Sequence, residues 1–113
     1  MHDDRKLIEG RLRRALRDRV RPALYGETVP LTATVWHAPG EPVPFDEATA
    51  NSFEAVETGT PWGRAWSTSW FRFSGNVPGH FDGRPCEVLV DLGYTGGPGF
   101  TCEGLAYTVG VSR

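Results

Sequence analysis

From Leu31 onward the apolar residues of this 113-residue chain alternate in short runs, each closed off by glycine or proline. Leu31-Thr32-Ala33-Thr34-Val35-Trp36 has the alternation and β-branched content that predict a first strand. Ser69–Val77 predicts a second, with Trp70 and Arg72 on one face and Phe71 and Phe73 on the other. Cys86–Leu92 predicts a third, with Val88, Val90 and Leu92 facing one way and Glu87, Leu89 and Asp91 the other. Thr101–Val109, interrupted by Gly104, predicts a fourth, while Ser52–Glu57 is too short to assign. Residues 37–50 contain Pro39, Gly40, Pro42 and Pro44 and predict a rigid loop without regular structure. Turns are expected at Thr60–Gly63, Pro78–Pro85 and Gly93–Gly99. No helical period separates these strands, and parallel strands would need crossover helices. The expected fold is therefore mainly β, an antiparallel sandwich.

The first segment obeys a different rule. Ile8, Leu12, Leu16 and Val20 recur every fourth residue, with Ala15 beside them, which predicts one apolar stripe on a helix. Asp3 or Asp4 can cap its start, and Pro22 ends it near Arg21. The expected organisation is an amphipathic helix over residues 1–24 followed by a β-sandwich region over 25–113. Residues 1–21 hold eight Lys/Arg against four Asp/Glu, and the remainder four against ten. A basic helix on an acidic body is either a solvated surface or one that docks, most simply on its own domain.

One domain of this length can bury a core, since 39% of its residues are apolar and 12% aromatic. A net charge of -2 gives no reason to expect nucleic acid or a membrane surface. No stretch approaches the roughly 20 apolar residues of a membrane span. No apolar run follows the N-terminal charges as in a secretory signal, so a cytoplasmic location is expected. In that reducing compartment Cys86 and Cys102 are expected to be buried small apolar groups rather than a disulfide.

The candidates for chemistry are few. Trp62, Trp66 and Trp70 fall four apart. Exposed indoles can stack on sugar rings, so these three are the candidate carbohydrate-binding residues; the alternative is that they fill the core and its rim. Gly93-Tyr94-Thr95-Gly96-Gly97-Pro98-Gly99 lacks both the Gly-Lys-Ser/Thr ending of a phosphate loop and a following helix, and reads as a tight interstrand loop. Glu87, Asp91 and Glu103 lie on neighbouring strand candidates, where a glycosidase would need two carboxylates about 5–10 Å apart. His2, His37 and His80 fit no metal-ligand pattern, and there is no nucleophile elbow. No catalytic or metal-binding residue is assigned, and the residues alone identify no enzyme.

One run carries a resemblance. Pro61-Trp62-Gly63-Arg64-Ala65-Trp66-Ser67-Thr68-Ser69-Trp70-Phe71-Arg72, then Gly75–Pro78, Glu87–Gly93 and Gly99–Tyr107, resemble the N-terminal region of bacterial α-mannosidases of glycoside hydrolase family 38. Arg21–Tyr25 and Val35–Pro42 fit the same region. The resemblance implies a jelly-roll-like, galactose-binding-like sandwich that precedes a catalytic barrel in a much longer chain. It also implies zinc and a retaining carboxylate in that barrel, acting on α-mannosides. The Gly-His-x-His-x-Asp zinc motif of such barrels is absent here, so no catalytic residue and no cofactor transfers to this sequence. The partners it implies are the catalytic domain of the parent chain and, for that parent, a mannoside. The other reading is a free-standing carbohydrate-binding module. The pattern breaks off at Gly110-Val111-Ser112-Arg113, and a sandwich ending there is expected to pair with a second copy through its open edge.

Overall fold

The computed structural model describes residues 4–93 and 102–109. The protein divides into two compact units, Met1–Thr32 and Ala33–Arg113. The division falls at the start of the first strand, whereas the sequence places it between residues 24 and 25.

The first unit is the helix the four-residue spacing predicts. Helix α1 spans Arg5–Ala15. Leu16–Val20 continues it as a π turn, in which the Arg21 N–H reaches the Leu16 carbonyl. Pro22 has no N–H to extend the ladder, and the segment ends in a 3₁₀ turn over Arg21–Ala23. Asp4 stands at the N-cap position, but its carboxylate makes no capping bond. Only its carbonyl engages, accepting from the Ile8 N–H at 2.9 Å. The expected side-chain cap is therefore absent at Asp4, and Asp3 lies outside the described residues. Glu9 pairs with Arg5 at 3.6 Å and Arg13 at 3.4 Å, exposed contacts worth a few tenths of a kcal/mol each. Asp18, bonded to Arg17 at 2.6 Å, holds that guanidinium above its ordinary pKa.

The second unit is built on a three-stranded sheet of order β2-β1-β3, with β1 at Thr32–His37, β2 at Glu54–Val56 and β3 at Ser69–Ser74. Strands β1 and β2 are antiparallel, with Ala33 opposite Val56, Thr34 opposite Ala55 and Val35 opposite Glu54. The Ala38 N–H donates to the Thr68 carbonyl at 3.0 Å, and His37 Nδ1 lies 2.8 Å from Ser69 Oγ. The end of β1 thus meets the start of β3, and that pair is antiparallel as well. The first two strand predictions are borne out, and the unassigned Ser52–Glu57 stretch contains β2.

The loop expected over residues 37–50 contains a helix instead. Helix α2 spans Phe45–Thr49 behind an extended Pro44. Proline at the start of a helix loses nothing, because the first N–H groups have no intrahelical partner. Asp46 and Glu47 in the first turn suit the helix dipole, and Asn51 Nδ2 closes the other end by donating to the Glu47 carbonyl at 2.8 Å. Counting prolines hid the one short interval they leave free.

Two further expectations are corrected. Among the described residues neither 86–93 nor 102–109 contains a strand. Alternation prepares a segment for pairing, but a strand also needs a neighbouring backbone to bond. The two segments do come together: a Cβ on Gly104 would lie 3.4 Å from Leu92 Cδ1, and Cys102 Sγ is 3.9 Å from the Leu92 carbonyl oxygen. Thr101 and Gly110–Arg113 lie outside the described residues, as does most of the Gly93–Gly99 loop. The turn expected at Thr60–Gly63 is replaced by two flanking turns, in which Thr60 N–H bonds the Glu57 carbonyl and Ser67 N–H the Arg64 carbonyl. The Pro78–Pro85 turn region appears, with a 3₁₀ turn at Gly79–Phe81.

The core is small. Val35, Ala38 and Ala48 are the buried apolar residues among those described, and the other contributions come from half-buried rings.

Candidate functional site

Strand β3 sorts the aromatic residues onto two faces. Phe71 and Phe73 stack at 6.1 Å, as residues two apart on one face must, and Trp62 meets Phe71 edge-on at 5.2 Å. Trp70 points the other way. It stacks on Tyr107 at 5.7 Å and lies 6.1 Å from Phe45, while Phe45 and Tyr107 are 4.9 Å apart. Arg72 shares this face, with its guanidinium 4.3 Å above the Phe53 ring and a 3.4 Å bond to the Thr49 carbonyl. The alternation predicted for Trp70–Phe73 is therefore realised. Its consequence is that Trp62 and Trp70 stand on opposite faces of the sheet and contribute to no common platform.

Trp66 differs from both. Its ring is fully exposed, at 104% relative accessibility, and its backbone is left-handed at φ 61°. A bulky L-residue rarely adopts that conformation. Ser67 holds the turn in place: its Oγ accepts from the Arg64 N–H at 3.0 Å and donates to the Arg64 carbonyl at 2.7 Å. Gly63 enters the turn at φ 66°, a left-handed conformation that glycine adopts without a steric penalty. Nothing in the sequence pattern distinguishes Trp66 from Trp62 and Trp70, since the left-handed φ follows from how the turn closes.

Relieving that conformation has a measurable consequence. Trp66→Gly removes a left-handed penalty of roughly 1–2 kcal/mol and adds unfolded-state freedom worth about 0.5–1 kcal/mol. Stability should rise by up to about 1.5 kcal/mol in a urea titration followed by circular dichroism. A lower midpoint would show that the exposed ring is stabilising and the turn unstrained.

Glu87, Asp91 and Glu103 are exposed, and Asp91 Oδ1 accepts from the Gly93 N–H at 2.9 Å. His37 is engaged with Ser69, His80 lies edge-on to Phe81 at 4.8 Å, and His2 is outside the described residues. Among the described residues no group of three or more His, Cys, Asp and Glu could hold a metal ion. Both cysteines are free thiols. Cys86 is exposed and Cys102 half-buried, so the expected burial fails for Cys86, which follows a turn instead of lying in a strand.

The family described as alpha-mannosidase, jelly roll domain, matches residues 29–112, well over half of the chain. The chain belongs to the alpha-mannosidase jelly roll family. The resemblance to the N-terminal domain of family 38 α-mannosidases, read chiefly from Pro61–Arg72, is borne out. No curated protein and no solved structure matches the chain. A jelly roll has two facing sheets of about eight strands in all. The described residues of this jelly roll domain supply three, with α2, Phe45 and Tyr107 against the Trp70 face of their sheet.

Proposed function

We propose that this jelly roll domain is a non-catalytic accessory domain of a bacterial, zinc-dependent, retaining α-mannosidase, supporting the catalytic barrel that hydrolyses α-mannosides. The observation that carries the reading is the family match over residues 29–112. On this reading zinc and the reacting carboxylate reside in the catalytic domain of the parent chain, which is the domain's partner, and the mannoside is the parent's substrate. The reading places the enzyme in the cytoplasm, in keeping with two free thiols. No helix among the described residues is long and apolar enough to cross a membrane.

The test is hydrolysis of an aryl α-mannoside by this chain with zinc added. Release of the aryl group should not exceed the buffer blank, and turnover above it would overturn the reading. A second reading, a free-standing carbohydrate-binding module, is favoured by the open ring of Trp66. Titration with mannose or mannobiose, followed by tryptophan fluorescence, separates the two. The accessory domain predicts no saturable change. A saturable change lost in Trp66→Gly would assign the chain to sugar binding.

A further inference from the structure

We draw no further inference here: the strongest candidate, the exposed apolar stripe of Ile8, Leu12, Leu16 and Val20 along the N-terminal helix, carries none because nothing in the structure shows what covers it.

Discussion

Trp70→Ala should cost the second unit about 2–4 kcal/mol, somewhat less than a fully buried tryptophan because the ring is only half covered. Trp70 joins three separate stretches of chain: strand β3, helix α2 through Phe45, and the segment carrying Tyr107. With Val35, Ala38 and Ala48 as the buried apolar residues among those described, no other contact can take over the loss. A small domain holds only about 5–15 kcal/mol in total, so the deficit should lower its urea midpoint severely. The conservative change separates packing from polarity. The Trp70 indole N–H is buried without an acceptor among the described residues, and Trp70→Phe removes that orphan while keeping a ring. It should therefore cost clearly less than the alanine variant, since one ring is kept and only part of the indole is lost. Circular dichroism is the readout, since tryptophan fluorescence changes with the mutation itself. An alanine variant within about 0.5 kcal/mol of the parent would remove Trp70 from the core.

Ala48→Asp should be at least as damaging, at about 3 kcal/mol or more near neutral pH. Ala48 is fully buried on α2, where a carboxylate would lose its hydration. Burial favours the neutral form, so the folded-state pKa of the new carboxyl lies above its unfolded value. A group raised in this way destabilises progressively as pH rises through the unfolded pKa, and least below it. The deficit against the parent should shrink as pH falls toward the ordinary carboxylate range. Ala48→Gly, which adds no charge, should cost only about 1 kcal/mol at any pH. A pH-independent deficit in the aspartate variant would mean that its carboxyl escapes to solvent.

The sequence made some features legible because they depend on neighbours in the chain. Alternation placed β1 and β3 and put Trp70 with Arg72 opposite Phe71 with Phe73. The four-residue spacing places the helix, and the run Pro61–Arg72 points to the α-mannosidase family. Local steric rules and repeated side-chain identity carry that information, and neither requires a partner from elsewhere.

Other features belong to the tertiary structure alone. Cys86–Leu92 has the best strand pattern in the chain, yet it forms no strand, because pairing needs a second backbone at the right distance. Trp62, Trp66 and Trp70 look equivalent as letters four apart. The sheet sends Trp62 and Trp70 to opposite faces, and the Ser67-closed turn drives Trp66 into the left-handed region with its ring in solvent. The helix, the strand periods and the family are thus written in neighbouring residues. Which strands pair, and which of the three indoles stands in solvent, depend on contacts between residues far apart in the chain.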